Sequence, residues 1–180
     1  MSVVHVLPLG TLDDDIVVTV EQGIRRTFGL DVRWLHAEET PVYAYDTARH
    51  QYSSELILRN LIKRCPDGAL RFLAVTDVDL FIPMLTFVYG QAQLNGKVSV
   101  VSTARMHQEF YTLPKNRTLT LNRIRKESVH ELGHTFGLTH CPLPACPMSI
   151  ATSVDQLDVK GDELCRSCTR LLRGGYSGIA

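Results

Sequence analysis

The sequence predicts an α/β fold built on a mixed, twisted β-sheet. Three observations predict it. Short continuous apolar runs alternate with helical patterns through the first half of the chain, an Asn-Gly hairpin signal follows, and one long helical pattern comes after the hairpin. At 180 residues the chain makes one ordinary domain, with room for a cleft between two lobes.

Taken in order, Val3 to Leu9 is an unbroken apolar run that reads as a buried strand. No positive segment precedes it, and it is too short for the apolar core of a signal peptide. Asp13-Asp14-Asp15 suits a helix N-terminus by capping and by dipole. Ile16, Val20, Ile24 and Phe28 then share one helical face, and Gly29 stands where a C-cap glycine belongs. Leu30 to Leu35 is a second strand. Pro41 to Tyr52 is polar and aromatic without periodicity and reads as a loop; its tyrosines 43, 45 and 52 are expected to be rim packing. Ser53 or Ser54 caps a second helix that stops before Cys65-Pro66-Asp67-Gly68. Leu70 to Thr76 is a third strand. Val88 to Ser102 forms a hairpin about Asn95-Gly96, a dipeptide favoured by type I′ turns, so the last strand pair is antiparallel. Asn116 to Phe136 is one helix, and beyond Gly137 the chain becomes irregular and rich in proline and cysteine.

Composition narrows the function. Hydrophobic residues make up 44% and charged residues 21%, the balance of a protein with a proper core. Lysine plus arginine equals aspartate plus glutamate at 19 each, so no net field recruits nucleic acid or an anionic membrane. No apolar stretch approaches the roughly twenty residues that span a bilayer. The expected address is the cytoplasm, where cysteines serve as metal ligands or inert core residues rather than as disulfides. Cys65 stands apart from the other four and reads as a buried small hydrophobe.

The chemistry concentrates in His130-Glu131-Leu132-Gly133-His134-Thr135-Phe136-Gly137-Leu138-Thr139-His140. Residues four apart share a helical face, so His130 and His134 can hold one ion. Glu131, rotated about 100° from His130, can reach a water on that ion without ligating it. Gly137 can adopt the left-handed conformation that ends the helix and brings His140 back as a third ligand. Three imidazoles leave a position open for water, as a hydrolytic zinc site requires. Glu127, earlier on the same helix, is expected on a solvated face rather than behind a ligand. His5, His36, His50 and His107 lack ligand spacing, although His107 precedes the helix closely enough to lie near the cleft.

This stretch resembles the metzincin zinc peptidases, in which a methionine beyond the third histidine turns beneath the metal; Met148 is the candidate here. Cys141 follows His140 at once, Cys146-Pro147-Met148 comes next, and Cys165-Arg166-Ser167-Cys168 completes the pattern. The whole, HExxHxxGxxHCxxxxCxM followed by CxxC, is similar to the archaemetzincins, and the α/β order ahead of it suits the same fold. The resemblance implies two zinc ions: a catalytic one on His130, His134 and His140, and a structural one on Cys141, Cys146, Cys165 and Cys168. It also implies an α/β subdomain at residues 1–137, which ends in the active-site helix, and a small zinc-bound subdomain at 138–180. Independently, a C-terminal segment with too few large apolar residues for its own core would be stabilised by a closed metal site. Reduced thiols without metal, two disulfides, or His140 shared with the cysteine-held ion are the other allocations.

The expected function is a zinc peptidase in which Glu131 activates the water. The chain is expected to act as a monomer on a peptide substrate laid along the edge near Tyr89-Gly90-Gln91-Ala92. The alternative is a zinc-organised peptide-binding module with little or no turnover.

Overall fold

The computed structural model describes residues 3–176; residues 177–180 of the expected C-terminal subdomain lie outside them. Strand β1 (Val3–Leu9) leads into helix α1 (Asp14–Phe28), which ends at Gly29 in the left-handed region, φ +66°, with its N–H on the Arg25 carbonyl. Strand β2 (Asp31–Trp34) follows. The segment read as a loop instead holds a 3₁₀ turn (Val42–Ala44) and two short strands, β3 (Tyr45–Asp46) and β4 (Gln51–Ser53). Helix α2 (Ser54–Arg64) is capped by the Ser53 hydroxyl, which accepts from the Leu56 N–H. Then come β5 (Arg71–Thr76), β6 (Leu80–Phe81), β7 (Gly90–Ala92) and β8 (Val98–Ser102).

The main sheet runs β2-β1-β5-β8-β7, parallel except for β7, which lies antiparallel on β8 and forms one edge. A second, small sheet of β3, β4 and β6 packs beside it; its strands of two or three residues carry no periodicity to read. The hairpin turn also departs from expectation. Gly96 donates to the Gln93 carbonyl at 2.9 Å and only Asn95 is left-handed, φ +54°, so this is not a type I′ turn, which needs positive φ at both central residues.

Alternation along the strands builds a three-layer core. Leu73 and Val75 of β5 face α1, against Ile16, Val20 and Ile24, together with Ile124 and Leu132. Phe72 and Ala74 face α2, against Ile57, Leu58 and Leu61. Helix α3 (Arg117–Thr135) begins at Asn116, whose side chain accepts from the Leu119 N–H at 3.0 Å. It is buried along most of its length and packs on α1, β7 and β8, which brings its last two turns under the sheet edge.

The C-terminal segment is irregular only as far as residue 153. Helices α4 (Val154–Val159) and α5 (Arg166–Tyr176) follow. Its core consists of Leu138, Cys146, Met148, Cys168 and Leu172, two of which are cysteines. Among the described residues, no helix is long and apolar enough to cross a membrane.

Candidate metal centre and active site

His130 and His134 sit a turn apart on α3, with ring centroids 4.6 Å apart. The helix ends as the glycine predicted. Gly137 takes φ +87°, its N–H returns to the His134 carbonyl at 2.9 Å, and Leu138 N–H returns to the Gly133 carbonyl at 3.1 Å. The reversal brings the His140 ring within 5.4 Å of His130 and 5.0 Å of His134. One nitrogen from each of the three rings falls within a sphere of contacts no wider than 4.8 Å.

The hydrogen bonds fix which nitrogen each ring presents. His130 Nδ1 donates to the Pro147 carbonyl at 2.8 Å, and His134 Nδ1 donates to the Leu138 carbonyl at 2.7 Å. A carbonyl can only accept, so both Nδ1 atoms carry the proton and both Nε2 atoms are bare lone pairs. Those Nε2 atoms stand 3.0 Å apart. Two lone pairs at that distance repel unless a cation lies between them, so the donor set fits a metal ion. Burial first, then the nearby Lys160 ammonium, hold His130 well below its usual pKa, and burial lowers His134 as well. Both rings are therefore kept in the neutral form that ligates.

Glu131 is 5% exposed and points to the same cleft. Burial and the like charge of Glu127 push its carboxyl well above the usual range, and Lys160 opposes them. Two glycines make space for this arrangement. A Cβ at Gly90 on β7 would lie 2.5 Å from Glu131 Cγ and 2.7 Å from the Val100 carbonyl. A Cβ at Gly133 would lie 2.5 Å from Met148 Sδ. Met148 is fully buried against Gly133 of the helix.

The four C-terminal cysteines come together, with all four Sγ atoms within 4.8 Å of one another. Cys141 and Cys165 Sγ lie 3.8 Å apart, far beyond a disulfide bond of about 2.0 Å. Tetrahedral zinc with Zn–S of about 2.3 Å would separate its sulfurs by roughly 3.8 Å. All five cysteines are free, and Cys65 is absent from the group. The Cys168 backbone N–H holds the Cys165 thiol down to about 7, favouring the thiolate that binds metal. The two groups share one loop: Cys141 N–H donates to the Met148 carbonyl at 2.9 Å, while Pro147, between Cys146 and Met148, receives His130.

A model of Peptidase family M54 matches residues 28–174. The chain belongs to peptidase family M54. It is similar to the archaemetzincin of Methanocaldococcus jannaschii, 37% identical over 96% of this chain and 94% of that protein. The crystal structure of archaemetzincin from Methanopyrus kandleri superposes with a TM-score of 0.86 at 35% identity, covering 98% of this chain and 96% of the other. That from Archaeoglobus fulgidus, complexed with malonate, gives 0.80 at 30% identity, covering 94% and 99%. The M54 chain is thus a zinc metallopeptidase of metzincin-like α/β fold that acts on peptide or protein substrates.

Several readings of the M54 sequence change at the site. Glu127 is 4% exposed, not solvated: Lys160 Nζ lies 3.4 Å from its Oε2 and 3.5 Å from His130 Nδ1. Lys160, with a fully buried side chain, had no signal in the sequence, because a lone lysine after α4 is ordinarily solvated. His107 does not line the histidine cleft or the cavity next to it; its electrostatic neighbours include Glu109, Arg117 and Asp13. The tyrosine reading does not change: Tyr45 and Tyr52 pack on each other, ring centroids 5.0 Å apart, and neither lines that cleft.

Proposed function

We propose that this M54 peptidase cleaves peptide bonds with Glu131 as the general base and then the general acid, at a zinc held by His130, His134 and His140. The observation that carries the reading is the pair of bare Nε2 atoms 3.0 Å apart, with a buried Glu131 beside them. Zinc there would supply a Lewis acid that polarises the scissile carbonyl and acidifies a coordinated water. Glu131 takes a proton from the attacking water as its oxygen bonds the carbonyl carbon. It returns a proton to the amine nitrogen as the C–N bond breaks. Its raised pKa suits both roles, since a carboxyl that holds a proton less reluctantly can also deliver one.

The cleft beside the histidines, of ≈ 340 Å³, is bordered by Gly90, Gln91 and Ala92 of the edge strand β7. That free edge supports binding of substrate as an added strand. Cys141, Cys146, Cys165 and Cys168 would hold a second, structural zinc, bracing the loop that carries Pro147 and Met148. We read residues 1–137 and 138–180 as the two lobes about the cleft. Both donor sets come from one chain, which supports a monomeric enzyme. Free cysteines suit a reducing compartment, the cytoplasm.

The test is Glu131→Ala, assayed on a quenched-fluorescent peptide mixture alongside native-mass zinc counting. Zinc content should match the wild type while turnover falls by roughly 10²-fold or more. Hydrolysis retained at the wild-type rate would remove Glu131 from the mechanism.

A further inference from the structure

A second cavity, of ≈ 250 Å³, adjoins the histidines on the side away from Ala92. Its walls are mostly apolar, with Leu85, Phe87, Val88, Ile150 and Ala151 among them. Glu127 also lines it, although its residue is 4% exposed. A carboxylate on an apolar wall is costly unless it is paired. Lys160 pairs with one side only: its buried ammonium engages Oε2 at 3.4 Å and stands beside His130, leaving Oε1 without that partner. Tyr89 borders the same cavity and is itself 4% exposed, with its hydroxyl buried beside Tyr111. An apolar sleeve that ends in a carboxylate with one oxygen left over has the chemistry of a pocket for a long side chain with a basic end. Its walls take the methylene stem, and its floor takes the charged donors.

Strand addition sets which substrate residue enters. A peptide paired antiparallel to β7, the slightly more stable mode, runs from Ala92 toward Gly90. The residue just past the cut bond then meets the cavity built on Leu85 to Gly90. Resting on the peptidase reading above, we propose that Glu127 selects arginine or lysine at the substrate residue whose amine leaves.

The experiment uses the zinc-loaded enzyme and one peptide varied at that residue: arginine, citrulline, lysine, norleucine and leucine. Arginine and lysine should exceed norleucine and leucine in kcat/KM by roughly ten- to a hundredfold, as a hydrogen bond to a charged group implies. Citrulline, of the same length but uncharged, should fall between. Glu127→Gln should collapse the arginine-to-norleucine ratio toward one. Calorimetry of wild type with the leaving-side products, Arg-Ala amide and norleucine-Ala amide, gives a readout that needs no turnover, and the arginine product should bind tighter. Equal rates across the panel, or a preference for norleucine or leucine, would overturn the proposal. Tighter binding of the arginine product with no peptide cleaved would support the pocket while refuting the hydrolytic reading.

Discussion

Gly133→Ala tests how tightly the floor of the site is built. The new methyl would lie 2.5 Å from Met148 Sδ and 3.2 Å from its Cε, where ordinary contacts need about 3.5–4.0 Å. The sulfur must retreat by about 1 Å. Met148 is fully buried, packed with Leu138, Cys146, Cys168 and Leu172, so it cannot swing into solvent. Overpacking of this kind costs about 1–3 kcal/mol, partly softened by the flexibility of methionine. For a chain of this length that lowers Tm by on the order of 2–10 °C. A second effect follows from the backbone. Met148 adjoins Pro147, whose carbonyl receives His130 Nδ1 at 2.8 Å, and disturbing such a contact weakens metal binding by roughly ten- to a hundredfold. The assays are a thermal melt of the zinc-loaded protein and a competition titration against a chromophoric chelator. Gly174→Ala is the control, since nothing lies within 4 Å of a Cβ there. Unchanged Tm and unchanged zinc affinity in Gly133→Ala would refute the packing argument.

Three further outcomes are expected. In the metal-free protein, burial holds His130 and His134 below the usual 6.5, so below that pH the unfolded chain takes up protons that the folded chain refuses. Apo stability should therefore fall as pH drops through 6.5, while the zinc-loaded protein holds to a lower pH; coincident melting profiles would contradict this. Asp158→Ala strips the carboxylate from Arg123, whose side chain is 2% exposed, and should cost about 3–5 kcal/mol in urea unfolding; a loss below about 1 kcal/mol would show that the pair is idle. Gly90→Ala forces Glu131 or the edge strand aside and should lower kcat by about 10²-fold with zinc content intact; full activity would mean that the β7 edge yields freely.

What the sequence made legible was local. The helix spacing of His130 and His134, the reversal at Gly137 and the continuous apolar runs of the main-sheet strands are all patterns within a few residues. The features that escaped depend on partners far along the chain. Strands β3, β4 and β6 are two or three residues long and exist through pairings such as Tyr52 with Leu80, which no local propensity announces. Glu127 looked solvated because its partner, Lys160, lies 33 residues away, and neither would be buried alone. The turn at Asn95 was misread because its amide is drawn to the His134 carbonyl at the end of α3, a tertiary contact that competes with the turn the dipeptide prefers by itself. Helices α4 and α5 were missed because Pro142, Pro144 and Pro147 and the cysteines about them set the reading of the whole C-terminal segment as irregular, although neither helix contains a proline.

Anomalous scattering at the zinc edge, from crystals of the zinc-loaded wild type, tests the central claim directly. Two peaks per chain are expected, one at about 2.0–2.1 Å from a nitrogen of each of His130, His134 and His140, the other at about 2.3 Å from the sulfurs of Cys141, Cys146, Cys165 and Cys168. A single peak among the sulfurs, or one in which His140 joins the cysteines, would contradict the account.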